Sequence, residues 1–576
     1  MDGWRPKRSI QAPLVWAVLA VLLLVVGVWL LTLTRGSTLW VDEWSWALHR
    51  RGNDLDAFLQ PHNDHLSLVP VAVYRALFAT AGLDHYGPYR VLVVAAHLGC
   101  VVLTFVYARR RVGDVVGLLA AASLLMLGPA WQNILWPFQI GWLISVAAGV
   151  GTLLALDRRD RAGDIAAAGL LAIALGSSGV GVPFAIGAVI EVLLTRPRAK
   201  LWIVAVPLIP YAVWWKLYEK SEWAQIGHAS GVAHPLLDGI WRAPSFAVAS
   251  AASTMSSLAG LGGNTGKLAG GPGTFLTYGP VLLLAAAVLV GWRLHHLGRV
   301  PTRVLTLGAI AVSFWVFTAI TRGALGEPYT SRYLYVGGIL MLLLAVELLQ
   351  GIRLTTVALA GIGVAVLAAC LSNVQAYRIG AAFFVKQGQL TRVQLAALDL
   401  TRGVVKPTYE IDQLSEITAG DYFAAEAADG TPATPTPELA AAPDYARTQF
   451  DTQLLTIDAI APRAATGAQP AGPRPTVTGA TGGAVRPAGS CVGFRSAGFS
   501  SPAVGRTQDI VVPAGGVLIR AEGGDVGVGA RRYGDEFQPV GAVSSQAVVR
   551  FPRDAAPRPW LLRLTPASGV SVCGLP

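Results

Sequence analysis

The amino-acid sequence predicts a polytopic α-helical membrane protein with about 11 transmembrane helices. A C-terminal extracytoplasmic domain ending in a small β-sandwich is predicted to follow. Three observations favour this fold class. Hydrophobic residues make up 53% of the 576 residues and charged residues only 14%, and the mean hydropathy is +0.51. Long apolar stretches recur as far as residue 372, and short β-type runs separated by turn residues fill the end of the chain.

The apolar stretches are long enough to be membrane-spanning helices. They lie at 13–33, 90–107, 115–128, 140–156, 201–217, 275–292, 304–320, 333–349 and 354–371. A further run at 165–194 is interrupted by "GSSGVGVP", which predicts two helices joined by a tight turn. The first stretch is predicted to stay in the protein, because it is long, lacks a small-residue cleavage site and is followed by other spans.

Clusters of basic residues between the apolar stretches predict the orientation. They are Arg5, Lys7 and Arg8; Arg109, Arg110 and Arg111; Arg158, Arg159 and Arg161; Arg196, Arg198 and Lys200; Arg293, Arg299 and Arg303. The formal net charge of +11 alone would be compatible with a nucleic-acid partner, but the distribution of the basic residues argues against it, because such clusters mark cytoplasmic loops and face anionic lipid headgroups. With Met1 inside, all of them are cytoplasmic. The segments "WVDEW", "PAWQNILWPFQ", "GSSGVG", 218–273, "TRGALGEPYTSRY" and the chain after Ser372 are then outside.

Two amphipathic helices are predicted outside the spans. In the long first outer loop, Asn63 or Asp64 is suited to cap a helix, and the apolar residues from Leu66 to Leu77 recur on one face. This pattern predicts a helix at the membrane surface. A second helix of this kind is predicted at 236–258, before a Gly-rich loop.

The predicted domains are a transmembrane core at 1–372 with its first outer loop at 35–88, an extracytoplasmic helical connector at 373–430, an Ala/Pro/Thr-rich linker region at 431–488 and a β-rich extracytoplasmic domain at 489–576. Cys491 and Cys573 bracket the β-rich part and are predicted to form a disulfide in an oxidising compartment. Cys100 and Cys370 lie in apolar runs and are predicted to be buried thiols.

The polar residues that could carry chemistry concentrate on the predicted outer side. Walker A, nucleophile-elbow, zinc-ligand and dinucleotide-binding motifs are absent from the sequence, and acidic residues are scarce within the spans, which disfavours an ion-coupled transporter. Tryptophan stacks on sugar rings, arginine binds phosphate and a carboxylate accepts a proton from a hydroxyl. This set therefore suits a lipid-linked anionic sugar. The candidates are Asp42 and Glu43; His62, Asp64 and His65; Trp131, Gln132, Asn133 and Trp136; Arg322, Arg332 and Tyr333.

The sequence resembles the GT-C superfamily of membrane glycosyltransferases over residues 1–372. The resemblance rests on the Asp-Glu pair in "TLWVDEWSW" directly after the first span, on the long first outer loop, and on "SRYLY" opening a late span. It implies a polyprenyl-phosphate sugar as donor. A sequence rich in Ala, Gly, Val and Arg favours a GC-rich source such as an actinobacterium, in which the acceptor would be a cell-wall glycan or a glycoprotein.

The resemblance also implies residue roles. Asp42 matches the catalytic-base position, and Arg332 and Arg322, with Tyr333 beside them, would hold the donor phosphate. Glu43 would orient the acceptor or help to hold a divalent cation, Mg²⁺ or Mn²⁺. His62, Asp64, His65, Trp131, Gln132, Asn133 and Trp136 would contact substrate.

Simpler interpretations stay open at this stage. Asp42 and Glu43 could only stabilise a helix N-terminus, the arginines could anchor the interface, and the tryptophans could form an aromatic belt. The whole protein could be a non-catalytic transporter or flippase for lipid-linked saccharide, or an assembly protein whose β domain binds glycan. A flippase should tolerate Asp42→Asn, whereas the enzyme should not.

Overall fold

The computed structural model describes residues 12–63, 65–218, 235–262, 273–323, 327–411, 417–465, 470–496, 506–552, 554 and 556–576. The chain divides into two compact units. The helical unit comprises Met1–Arg35, His49–Ala81 and Tyr86–Val385, and the mixed unit comprises Gly36–Leu48, Gly82–His85 and Lys386–Pro576.

The helical unit contains the long apolar helices. In chain order the first helices are α1 (Ala12–Leu33), α2 (Asp42–His49), α3 (Asp56–Leu59), α4 (Leu68–Ala81), α5 (Gly87–Val112), α6 (Asp114–Leu125), α7 (Trp131–Leu135), α8 (Ile140–Leu156), α9 (Arg161–Ser177), α10 (Gly181–Thr195) and α11 (Trp202–Tyr218). They are followed by α12 (Pro235–Leu258), α13 (Gly273–Leu297), α14 (Thr302–Arg322), α15 (Ser331–Leu349) and α16 (Thr356–Leu400). Of these, α2 lies almost entirely in the mixed unit, and α16 continues into it.

The class of multi-pass helical membrane protein is confirmed, but the count of eleven spans is not. Among the described residues, seven helices are long and apolar enough to cross a membrane, or eight if α6 and the bent segment after it are one span. Helices α4, α10 and α11 are apolar but shorter. Helix α4 begins at Leu68, so the prediction that Asn63 caps this helix is wrong. Helix α12 matches the predicted 236–258 but packs its small polar residues within the bundle, with Ser250 and Ser253 buried.

Arginines from two of the basic clusters predicted to be cytoplasmic, Arg111 and Arg303, lie near one another in the helical unit. Asp157, at the end of α8, pairs with Arg111 of α5 and with Arg303 of α14. The N···O distances are 3.0 Å and 2.7 Å. Arg303 also pairs with Glu191 of α10 at 3.2 Å. Ion pairs therefore tie four helices together at this end of the bundle.

In the described residues of the mixed unit, two further α-helices and two antiparallel sheets are present. The helices are α17 (Ala419–Asp429) and α18 (Asp444–Ile457). The strands are β1 (Arg463–Ala464), β2 (Thr476–Thr481), β3 (Gly483–Ala488), β4 (Cys491–Ser496), β5 (Thr507–Val511), β6 (Val517–Glu522), β7 (Val526–Arg531), β8 (Gln538–Val543), β9 (Gln546–Val549), β10 (Leu561–Pro566) and β11 (Gly569–Gly574). One sheet has the order β1-β9-β6-β11-β4-β3 and the other β2-β5-β10-β7-β8.

The predicted β-sandwich and its disulfide are present. Alternate residues of both sheets, such as Ile519, Val570 and Leu562, are buried in one apolar core. Cys491 and Cys573 stand opposite each other on β4 and β11 and are bonded. The segment predicted as a linker at 431–488 is largely ordered, since it contains α18 and strands β1 to β3.

A buried carboxylate joins α18 to the sandwich. Asp451 is fully buried, and its carboxylate accepts backbone N–H bonds from Arg532, Tyr533 and Gly534, with one oxygen at 2.7, 2.9 and 2.8 Å. Burial raises the pKa of Asp451, and the three backbone donors act in the opposite direction. The loop after β7 therefore depends on this one side chain for its backbone hydrogen bonds.

Replacing Asp451 with alanine is expected to destabilise the mixed unit strongly. Each buried donor left without a partner costs about 1–3 kcal/mol. We expect earlier thermal unfolding of the purified full-length protein, followed by protease cleavage within the sandwich. Asp525 is exposed before β7, so Asp525→Ala serves as the matched control and should leave unfolding unchanged. Equal stability of Asp451→Ala and wild type would show that the three bonds contribute nothing net.

Candidate active site

The segment that carries Asp42 belongs to the mixed unit and has a strained backbone. Asp42 is half-buried at the first residue of α2. The residue before it, Val41, has φ +42°. A β-branched residue in this left-handed region is an outlier that costs on the order of 1–3 kcal/mol, and such strain concentrates at functional sites. The backbone conformation that positions Asp42 therefore lowers the stability of the folded protein.

Glu43 points away from solvent and is fully buried. Its Oε2 accepts a hydrogen bond from the backbone N–H of Trp40 at 3.0 Å. This is the reach-back bond by which an acidic side chain in the first turn fixes the residue preceding a helix. The two adjacent carboxylates therefore differ: Glu43 holds the backbone turn, and Asp42 is the more accessible one. The predicted roles of Glu43 toward acceptor or cation stay predictions.

The tryptophans around the acidic pair are part of a protein core and do not form a belt facing lipid. Trp40, Trp44 and Trp46 are 9%, 0% and 2% exposed. The indole Nε1 of Trp44 donates to the Leu39 carbonyl at 3.1 Å, and its ring meets Tyr422 edge-on at 6.2 Å. Buried aromatic side chains therefore pack around the start of α2.

We expect Glu43 to act as a positioning residue, so Glu43→Ala should lower activity by up to about 10²-fold through misplacement of Asp42. Glu43→Gln keeps an acceptor for the Trp40 N–H and should retain most activity. The comparison is made by measuring kcat and KM of both variants. If Glu43→Gln is as inactive as Glu43→Ala, the charge itself is needed, as a cation ligand or acid-base group would require.

In the helical unit, the predicted histidines sit on a tight turn held by Arg322. His62 and His65 exchange both backbone hydrogen bonds at 3.0 Å, and Asn63 between them has φ +52°. The Arg322 guanidinium donates to the Asn63 carbonyl. The His65 imidazole packs on Gly179, where a Cβ would come within 2.5 Å of Nδ1. Asp64 lies outside the described residues.

The second predicted outer loop is a broken helix. Between α6 and α7 the axis bends by 50°, and a short 3-10 turn, Gly128–Ala130, fills the break. A Cβ at Gly128 would lie 2.0 Å from the Asn373 carbonyl, so only glycine permits this approach to α16. Non-helical backbone within a membrane bundle is tolerated where it is buried in protein or lines a polar cavity.

The tryptophans of this loop pack against phenylalanines. Trp131 and Trp136 are 2% and 4% exposed. Trp131 lies 5.4 Å from Phe384, and Trp136 lies 5.0 Å from Phe138, measured between ring centroids. Both predicted sugar platforms therefore have ring partners within the protein, and their role toward substrate stays a prediction.

Two amide side chains of this loop, Asn133 and Gln139, have a different character. Asn133 is fully buried, and neither its Oδ1 nor its Nδ2 bonds to another described residue. Gln139 is 1% exposed, and its Oε1 likewise has no hydrogen-bond partner in the described part of the chain. Buried polar atoms of this kind are uncommon because each costs about 1–3 kcal/mol. The predicted role of Asn133 toward substrate stays a prediction.

Arg332 and Tyr333 lie in the first turn of α15, beside the same loop. Ser331 Oγ accepts the Gln132 backbone N–H at 3.1 Å, which joins the two segments. Tyr333 stacks on Trp142 with centroids 6.2 Å apart. Arg332 is half-buried, its guanidinium lies 5.9 Å from the Tyr333 ring, and its buried Nε bonds to no described residue. Its guanidinium nitrogens form no ion pair with a described carboxylate.

Within the helical unit, the structure brings the predicted outer loops together. The His62 ring meets Phe138 at 5.4 Å, Arg322 meets the His62–His65 turn, and Ser331 meets Gln132. Sequence reasoning missed the strained Val41 and the ring contacts of Phe138, because neither leaves a pattern in the sequence. No group of three or more His, Cys, Asp or Glu able to hold a metal ion occurs among the described residues.

No protein-family model and no curated protein matches this chain. Among solved structures, it is similar to ArnT from Cupriavidus metallidurans bound to undecaprenyl phosphate, at 14% identity and a TM-score of 0.43, over 75% of this chain and 92% of ArnT. It is also similar to the archaeal oligosaccharyltransferase AglB from Archaeoglobus fulgidus in complex with an inhibitory peptide and a dolichol-phosphate, at 14% identity and a TM-score of 0.39, over 74% and 65% of the two chains.

A third similar structure is the arabinosyltransferase EmbB from Mycobacterium smegmatis, at 11% identity and a TM-score of 0.34, over 100% of this chain and 66% of EmbB.

Proposed function

We propose that this protein is a glycosyltransferase that transfers a sugar from a polyprenyl-phosphate donor to a cell-envelope glycan or glycoprotein acceptor. The reaction takes place on the outer face of the bacterial cytoplasmic membrane, and Asp42 is its general base. The observation that carries the proposal is the contrast between two adjacent carboxylates. Glu43 is buried and bonded to the Trp40 N–H, whereas Asp42 follows the strained Val41 and is half-exposed.

A helix cap would not require this arrangement. Asn, Ser or Thr caps a helix as well as Asp does, and a cap needs no strained residue before it. A base benefits from partial shielding, because its pKa and orientation are then set by the protein. The buried tryptophans on either side of Asp42 supply apolar surroundings without covering it.

The chemistry needs one base and one anion site. The acceptor hydroxyl oxygen attacks the anomeric carbon while Asp42 takes the hydroxyl proton. The bond from the anomeric carbon to the phosphate oxygen breaks, and polyprenyl phosphate leaves as an anion. It leaves without protonation, so no acid partner is needed, unlike in a glycosidase. The Arg332 guanidinium holds the donor phosphate, and Arg322, already bonded to the Asn63 carbonyl, supports the turn that carries His62 and His65.

Mass spectrometry of cell-envelope glycans and lipid-linked sugars from a deletion strain tests the function. We expect one glycan linkage to disappear and one polyprenyl-phosphate sugar to accumulate. Wild-type protein should restore the linkage and Asp42→Asn protein should not. Restoration by Asp42→Asn would favour the flippase, which does no chemistry at this carboxylate.

The proposal also predicts topology. Reporter fusions after Arg111, Arg198 and Pro576 should report cytoplasmic, cytoplasmic and extracytoplasmic locations, because the basic clusters favour retention inside. The disulfide between Cys491 and Cys573 fits an extracytoplasmic sandwich. A cytoplasmic C-terminus would place the β-sandwich on the wrong side of the membrane for an extracellular acceptor.

A further inference from the structure

A cavity of about 320 Å³ opens in the mixed unit where α18 ends against the edge of the six-stranded sheet. This volume is at the lower end of ligand-binding pockets, which measure about 300–1,000 Å³. The lining includes Asp458, Ile460, Arg463, Arg550 and Phe551. None of the residues proposed for catalysis or donor binding lines it, so any ligand here is bound separately from the reacting groups.

The wall of the cavity depends on an unusual helix end. After α18, Ala459 takes φ +47°, the conformation that glycine normally supplies at this position. The Ile460 N–H bonds to the Leu455 carbonyl at 3.0 Å and the Ala459 N–H to the Thr456 carbonyl at 3.2 Å. This closing motif turns the chain sharply and brings Asp458 and Ile460 to the cavity.

Asp458 is a half-buried carboxylate that accepts no hydrogen bond from any described residue. Among the described residues, the one that favours its charged form is Arg532, which forms two hydrogen bonds of 2.5 and 2.8 Å with Asp554. Burial and the charge of Asp554 raise the pKa of Asp458 to about 6. This carboxylate lacks donors, and a ligand with hydroxyl groups would supply them.

The two arginines of the cavity are also uncommitted. Arg463 and Arg550 are exposed, and neither forms an ion pair with a described carboxylate. Each presents a fork of N–H donors suited to oxygen acceptors. Phe551 is half-buried and stacks on Trp560 at 4.7 Å, which fixes an apolar ring among these polar groups. The cavity therefore offers donors, an acceptor and an apolar surface together.

The lining combines charges of both signs. A cationic ligand would be repelled by Arg463 and Arg550, and an anion would be attracted by these two arginines but would leave Asp458 without a hydrogen-bond donor. A sugar hydroxyl both donates and accepts a hydrogen bond, so a neutral glycan can bond to all three groups, and its C–H faces pack on an aromatic ring. We propose that this cavity binds a neutral glycan chain and, resting on the proposed function, that the chain is part of the acceptor.

The test measures binding of soluble neutral oligosaccharides to the purified full-length protein in detergent by isothermal titration calorimetry. The probes are mannan, glucan, galactan and arabinan fragments of four to six sugars, with an acidic oligogalacturonate and a basic chitosan oligomer as charged controls. We expect at least one neutral fragment to bind, and the charged oligomers to bind at least tenfold more weakly. Tighter binding of oligogalacturonate would identify an anion site and overturn the proposal, as would no binding by any neutral fragment.

Two variants assign the binding to the cavity. Asp458→Asn and Arg550→Ala should each weaken the neutral fragment by about tenfold, the effect of losing one hydrogen bond to a charged group. Asp525→Asn and Arg486→Ala replace exposed residues of the same unit outside the cavity and should bind like wild type. Removing a carboxylate with a raised pKa should not unfold the domain, so lost binding by Asp458→Asn reports on the site. Unchanged binding by both cavity variants would place the glycan elsewhere.

The test separates this proposal from the proposed function. Asp42→Asn protein should bind the neutral fragment like wild type, because Asp42 does not line the cavity. Arg550→Ala protein should still transfer sugar to a saturating acceptor, with a raised KM for long glycans. Binding without any transfer by wild type would leave the cavity as a glycan site and refute the enzyme. Sugar transfer by wild type without glycan binding that depends on the cavity residues would support the enzyme and refute the glycan site.

Discussion

Asp42→Asn is expected to lower sugar transfer by about 10²–10⁴-fold, the usual cost of losing a positioned general base. Asparagine keeps the size of the side chain and remains a good residue for a helix start, so the turn after Val41 and the Glu43 bond to Trp40 should persist. The loss should appear in kcat, because the base acts in the transition state, and donor binding should be unchanged.

The matched control is Asp56→Asn. Asp56 also opens a short helix in the first outer loop, and it accepts a hydrogen bond from the Tyr218 hydroxyl at 2.8 Å. An acid at a helix N-terminus contributes only about 0.3–1 kcal/mol. If Asp42 and Asp56 variants transfer sugar at the same near-normal rate, Asp42 is a helix-start residue and the base lies elsewhere.

Arg332→Ala should weaken binding of the polyprenyl-phosphate donor by about one to two orders of magnitude, since a hydrogen bond to a charged group contributes about 1.5–3 kcal/mol. The buried Nε of Arg332 has no hydrogen-bond partner among the described residues, and Arg332 lies beside Tyr333, which stacks on Trp142. The guanidinium is therefore available to a phosphate. Arg332→Lys keeps the charge but loses the planar fork, so it should recover only part of the affinity.

Donor dependence of the initial rate distinguishes the possible roles of Arg332. A phosphate clamp raises KM for the donor, and kcat falls as well only if the guanidinium binds the departing phosphate more tightly in the transition state. Arg353 is exposed in the turn between α15 and α16, so Arg353→Ala is the control. An unchanged donor KM and kcat in Arg332→Ala would remove Arg332 from the donor site.

The spans were predictable because hydrophobic length is a direct consequence of crossing a bilayer. The sequence prediction 140–156 coincides with α8, and the "GSSGVGVP" interruption separates α9 from α10. The sequence predicts a helical connector after residue 372 that is separate from the last span, whereas in the structure helix α16 continues from that span to Leu400. Helix-forming residues follow the apolar stretch without a glycine or proline stop signal strong enough to end the helix. Strands β2 and β3 are partly exposed and rich in Thr, Gly and Ala, which in sequence looks like a linker.

Residue roles were harder to predict than elements, because they depend on which side chains and backbone groups come into contact in the folded chain. The pattern "VDEW" does not show which of the two carboxylates is catalytic. The structure distinguishes them, because the Glu43 carboxylate accepts a hydrogen bond from the Trp40 backbone N–H. The sequence does not show that Trp131 and Trp136 pack against Phe384 and Phe138, because these ring contacts depend on how the chain folds. Cys491 and Cys573 were predictable as a pair because two cysteines flanking one β-rich segment have few other partners.

The most direct test of the account is transfer by purified wild-type protein in detergent, where no membrane compartment remains. Radiolabelled polyprenyl-phosphate sugars are supplied one at a time with cell-envelope glycan and glycoprotein as acceptors. The account predicts that, with one donor, label enters the acceptor and polyprenyl phosphate is released in equal amount, and that Asp42→Asn protein shows neither. Label that stays on the lipid with every donor, while the same protein in vesicles moves that lipid across the bilayer, would contradict it.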